Sequence, residues 1–152
     1  MMGGGQQQLQ QLSEELQAID AAIGDVEAQI EDVRREQSEI DEAISAIDRL
    51  ETGSTVQVPL GGGAYVRAEI QDIDEVIVDL GGGYAAEQEQ DDAADALERK
   101  REALDDRIDE LQEQIDELES EGDRIEQQAQ KMQQQLQQQQ LQQMQEMQDQ
   151  DE

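Results

Sequence analysis

Carboxylates are the commonest chemically capable side chains in this sequence. It holds 40 Asp and Glu against 10 Lys and Arg, with no His and no Cys. A paired-carboxylate active site needs a pocket that holds on to one proton, and at this density close carboxylate pairs arise by chance. Asp72, Asp74 and Glu75 resemble a fragment of a calcium loop, but the glycine and the distal Glu that such a loop requires are missing. A hairpin turn between Ile73 and Val76 accounts for them better. The triplets Gly61-Gly62-Gly63 and Gly81-Gly82-Gly83 lack the Gly-Lys-Ser/Thr ending of a phosphate-binding loop and open no helix; they read as turn glycines. Without His or Cys, zinc loses its usual ligands and general acid–base catalysis its commonest residue. A thiol nucleophile and a disulfide framework are ruled out as well. The expectation is a protein that is not an enzyme and takes no cofactor or metal.

Charge narrows the partners. The formal net charge is −30 over 152 residues. Such a chain repels phosphate, so neither nucleic acid nor an anionic membrane surface is an expected partner. No apolar run approaches the ~18 residues of a membrane span, and no charged-then-apolar leader follows Met1. A cytoplasmic protein of one domain is expected. At ~1 M salt the Debye length falls to roughly 3 Å and the self-repulsion largely vanishes, so the acidity fits a high-salt cytosol. The competing reading is a disordered acidic chain, which would show no hydrophobic period.

The period is present. In alternating steps of three and four the positions Leu9, Leu12, Leu16, Ile19, Ile23, Val26, Ile30, Val33, Gln37, Ile40, Ile44 and Ile47 are aliphatic in eleven of twelve cases. That is a sustained coiled-coil heptad. This helix should stop near Glu51, with Gly53 in the left-handed position after its end. A second series runs Ala94, Leu97, Arg101, Leu104, Ile108, Leu111, Ile115, Leu118, Gly122, Ile125, Ala129, Met132 and Leu136, with Asp91 or Asp92 as N-cap. Arg101, Gly122 and Ala129 are unusual core residues. An antiparallel fold-back pairs Ile47 with Ala94, Ile40 with Arg101, Gln37 with Leu104 and Leu9 with Met132. It sets the polar exceptions Gln37 and Arg101 in adjacent layers, where buried polar groups fix register. It also lays Arg99, Lys100 and Arg101 beside Glu39, Asp41 and Glu42. In this register residues 136–152 have no partner within the chain, and Leu136, Leu141, Met144 and Met147 project into solvent.

Between the helices the pattern changes to period two. Thr55 to Leu60 alternates, Tyr65 to Ile70 alternates, and Val76 to Leu80 and Tyr84 to Ala86 are shorter apolar runs. A glycine triplet separates each pair, following Leu and closely followed by Tyr. Two successive β-hairpins result, with the look of an internal duplication. Isolated hairpins are marginal and their open edges invite pairing, so an oligomer built around a shared β body is expected.

At these residues the chain resembles the alpha-subunit family of archaeal prefoldins. The resemblance rests on Val58 to Val66, on Val76 to Tyr84, on Glu87 and on Ala93 to Leu97, and it covers nearly the whole chain. The family's second segment has Gly-Thr-Gly-Tyr with bulky residues after it, whereas here Gly82 replaces the Thr and Ala85 and Ala86 are small. The resemblance implies an α+β fold: a long antiparallel coiled-coil hairpin with two β-hairpins inserted between the helices. The N-terminal helix is expected over residues 6–51, the hairpins over 54–88, and the C-terminal helix with its Gln/Met-rich tail over 91–148.

The resemblance also implies an ATP-independent co-chaperone that captures non-native proteins at coiled-coil ends and passes them to a group II chaperonin. Its implied partners are prefoldin beta subunits (four, with two alpha chains), the second alpha subunit, non-native clients and the chaperonin. The implied client contacts are Leu9, Leu12, Met132, Leu136, Leu141, Met144 and Met147. Adaptable Met suits promiscuous surfaces, and weak contacts on several arms add up. The implied assembly residues are Val56, Val58, Leu60, Tyr65, Val66, Ile70, Val76, Ile77, Val78, Leu80 and Tyr84. The alternative from the heptads alone is a structural coiled-coil oligomerisation protein without client binding, in which Leu9, Leu12 and Met132 are ordinary core and the Gln-rich end a frayed tail.

Overall fold

Heptads of this length specify helices, and the alternating runs between them specify strands. The computed structural model describes residues 3–150. Along the chain it has α1 (Gly3–Arg49), β1 (Thr55–Gly61), β2 (Ala64–Glu69), β3 (Val76–Gly81), β4 (Tyr84–Gln88) and α2 (Gln90–Gln150). This is the expected α+β order of helix, two hairpins, helix. The chain divides into two compact units, one of residues up to 30 with those from 109 onward, the other of residues 31–108.

In the second unit the glycine triplets set the geometry of both hairpins. β1 pairs antiparallel with β2, and β3 with β4, as two separate two-stranded ribbons. Each tight turn places two glycines in the left-handed region, Gly62 and Gly63 at φ 61° and 81° and Gly82 and Gly83 at 62° and 81°. Positive φ at both central residues is the signature of a type I′ hairpin turn. The register shifts by one residue just before each turn, between Pro59 and Gly61 and between Asp79 and Gly81. The two hairpins therefore repeat in backbone geometry as well as in sequence. Asp72 and Asp74 make the link between them. Glu75 N–H donates to the Asp72 carbonyl at 3.2 Å, and Asp74 N–H to Asp72 Oδ1 at 3.0 Å. That turn joins two ribbons and is not a hairpin, a correction to the expectation, because β2 and β3 do not pair.

The helix ends are held by contacts that reach across the unit. α1 stops at Arg49, two residues before Glu51. Gly53 does take a positive φ of 91°, but in the turn after the helix, where its N–H donates to the Ile70 carbonyl at 2.8 Å. The last carbonyls of a helix need outside donors, and Gln90 supplies them: its Nε2 lies 2.7 Å from the Ile47 oxygen and 3.1 Å from the Leu50 oxygen. α2 begins at Gln90, whose N–H donates to Asp74 Oδ1 at 3.3 Å, while the Glu89 carbonyl accepts the Ala93 N–H at 2.8 Å. Asp91 and Asp92 sit inside the first turn. They complement the helix dipole there and are not the N-cap.

Val78, Ala93 and Ala96 form a buried cluster packed by Ile47, Val76 and Leu97. The two alanines at the start of α2 let β3 approach closely. Along the helices of this unit the seam residues Val33, Ile40, Ile44 and Ile47 on α1, and Ala94, Leu97, Leu104 and Ile108 on α2, are buried or half-buried. In the other unit the same holds from Leu9 to Ile30 on α1 and from Leu111 to Leu136 on α2, with Leu111 fully enclosed. A Cβ placed on Gly122 would lie 3.6 Å from Ile19 Cγ2, so these two positions face each other as the antiparallel register requires.

Candidate functional site

Large apolar side chains are hidden along the seams and exposed elsewhere. Those most exposed among the described residues are Val58, Leu60, Tyr65, Val66, Ile77, Leu80 and Tyr84 on the hairpins, and Leu141, Met144 and Met147 near the end of α2. Two candidate surfaces follow, one in each unit.

The hairpin surface is built by strand alternation, which sends successive side chains to opposite faces. On β3, Val78 points inward and is 4% exposed, while its neighbour Ile77 points outward and is 69% exposed. Val56, Ile70 and Val76 are half-buried. The residues read from the sequence as one assembly set therefore split. Val78, with Val76 beside it, belongs to the chain's own core, whereas Leu60, Tyr65, Ile77, Leu80 and Tyr84 are bared in the single chain. Both ribbons also keep unpaired edges of the kind that accept further strands.

The helical surface has a sharper boundary than the heptads suggested. Leu9, Leu12 and Met132 are half-buried seam residues, the ordinary core of a coiled coil. Leu136 is half-buried too, and a Cβ on Gly5 would come within 2.7 Å of its Cδ2. Leu136 thus has a partner within the chain, contrary to the expectation that it projects into solvent. Gly5 stands four residues before Leu9, in step with the heptad, but a glycine carries no apolar signal. From residue 137 to 150 every residue is exposed.

The seam beyond Leu136 would run through Gln139 and Gln143. Leu141, Met144 and Met147 lie on a face turned from it by roughly a third of a turn, at 3.6 residues per turn. With Gln137, Gln140 and Gln143 they line a shallow apolar groove on the helix. It offers adaptable, uncharged contact. Among the described residues no three His, Cys, Asp or Glu side chains are placed to hold a metal ion, and no helix is long and apolar enough to cross a membrane.

Comparison with known proteins places this geometry. The family described as prefoldin subunit matches residues 19–149. The chain is 69% identical over 103 residues to a prefoldin subunit alpha of Halorubrum lacusprofundi, covering 68% of each chain. It is 67% identical over 99 residues to that of Halobacterium salinarum, covering 65% of this chain and 64% of the relative. To that of Haloarcula marismortui it is 60% identical over 95 residues, 62% of each. Among solved structures it is similar to a chain of the filamentous prefoldin of Methanocaldococcus jannaschii, at 25% identity and a TM-score of 0.49, covering 76% of this chain and 92% of that one. By its helix–hairpin–hairpin–helix order, and by a family match that spans both units, the chain belongs to the prefoldin family, among its alpha subunits.

Proposed function

We propose that the chain is a subunit of an ATP-independent co-chaperone, joined through its hairpins to beta-type subunits and a second copy of itself. In this reading the end of α2 captures non-native proteins for delivery to a group II chaperonin. The observation that carries it is the distribution of exposed apolar side chains: one set on strands with open edges, the other on the last turns of a long helix. Strand edges suit permanent pairing between subunits. A short Leu/Met face flanked by glutamines suits weak contact with many apolar sequences, and several such faces in one assembly would raise the overall hold.

The test is native mass of the chain at high salt with a co-produced beta-type prefoldin subunit, followed by dilution of a denatured enzyme into the purified assembly. A hexamer of two and four chains that suppresses aggregation without ATP is expected. An assembled complex that leaves aggregation unchanged would overturn the capture reading and leave a structural oligomer.

A further inference from the structure

We propose that Met144 and Met147 are an oxidation-controlled switch: a peroxide or hypohalous acid converts both thioethers to sulfoxides and turns off apolar capture at the end of α2. The inference rests on the capture reading above and adds a chemical control to it.

The chain has five Met and no Cys, so thioether sulfur is its only redox-active sulfur. The described methionines differ sharply in access. Met132 is half-buried in the seam, while Met144 and Met147 are 67% and 73% exposed. The exposed pair is spaced i, i+3 on one helix face, beside Leu141 at 61% exposure. Access decides which thioether reacts first.

The step balances without any group from the protein. A sulfur lone pair attacks one oxygen of hydrogen peroxide. The S–O bond forms, the O–O bond breaks, and after proton transfer from solvent the second oxygen leaves as water. The sulfur loses two electrons and the peroxide gains them. Each product side chain is a polar sulfoxide that accepts hydrogen bonds and is reversible by the paired sulfoxide reductases. Of the three apolar side chains on this face only Leu141 then remains. The helix itself is little strained, because every residue from 137 to 150 is exposed.

The experiment treats the full chain, assembled with its beta-type subunit, with graded hydrogen peroxide and then removes the oxidant. Peptide mass spectrometry reads the sites, each sulfoxide adding about 16 Da. Holding of guanidinium-denatured malate dehydrogenase at high salt reads the consequence. The expected result is oxidation of Met144 and Met147 before Met132, together with loss of most of the holding. Sulfoxide reductases should restore it. In a Met144→Leu/Met147→Leu chain neither side chain can be oxidised, so whatever holding it shows before peroxide should be unchanged after it. Equal loss in that variant, or earlier oxidation of Met132, overturns the proposal. If the untreated assembly holds no client, the capture reading fails and the switch with it; that result is distinct, because the order of oxidation is read independently.

Discussion

Gln37 Nε2 lies 2.7 Å from Asp105 Oδ1 across the helix seam, and 3.2 Å from the Arg101 carbonyl oxygen. Gln37 is the one polar residue in the α1 heptad and is 8% exposed. One turn along, Arg101 Nε sits 2.8 Å from Asp41 Oδ1. This contact is an ion pair off the line of the N–H, so its attraction is electrostatic and not that of an aligned hydrogen bond. Together the two contacts join the helices of this unit at one defined offset. A neighbouring heptad offset would bury the Gln37 amide among aliphatics, where an unpaired amide is costly.

The first prediction follows from that lock. Gln37→Leu restores the aliphatic heptad and should raise stability by about 1 kcal/mol while loosening register. The chain has no cysteine of its own, so introduced pairs report cleanly. In the parent, cysteines at positions 12 and 129 should cross-link and those at 12 and 122 should not. In Gln37→Leu both pairs should cross-link. An unchanged cross-linking pattern would show that the apolar layers alone set the offset.

Gly122→Ala should stabilise the chain. The added Cβ meets Ile19 Cγ2 at 3.6 Å, an ordinary contact, and an interior helical glycine costs about 1 kcal/mol relative to alanine. Denaturant unfolding at fixed salt should show the midpoint rising. A fall would mean that the helices need the glycine for closer approach than this distance implies.

Neighbouring residues on β3 should part company. Val78→Ala empties a packed site and should destabilise the single chain by about 2 kcal/mol. Ile77→Ala should change its stability by less than about 0.5 kcal/mol yet weaken association with other subunits. Unfolding midpoints set against native mass separate the two effects.

A chain ending after Leu136 keeps the last paired seam residue and removes the fully exposed stretch. It should assemble normally and hold denatured client poorly. Loss of assembly would show that residues 137–150 serve structure instead.

Low salt should destabilise the protein. With a net charge of −30, lengthening the Debye screen from roughly 3 Å at 1 M to about 10 Å at 0.1 M salt restores self-repulsion. The thermal midpoint should fall steadily along that series, and a flat profile would mean that the acidic side chains repel one another little in the folded state.

What could be read from residues alone follows the strength of the local signal. Each seam position of both series is buried or half-buried in the structure, because an apolar stripe sustained at heptad spacing is covered by the matching stripe of the facing helix. The hairpin turns were equally plain, since consecutive glycines suit positive φ. Gln90 and Asp74 carried no such signal. Gln90 looks like any surface glutamine until the end of α1 is brought beside it, and Asp74 looks like a stray calcium ligand until the first turn of α2 is. The cover of Leu136 is invisible to a heptad count for a related reason, because its partner Gly5 has no side chain to register.

The contacts of Gln90 carry a mechanical meaning. One residue donates its backbone N–H to the Asp74 carboxylate and its side-chain amide to the Ile47 and Leu50 carbonyls at the end of α1. A pull on either helix near the hairpins therefore passes to the other through a short bridge of polar bonds, beside the cluster around Val78.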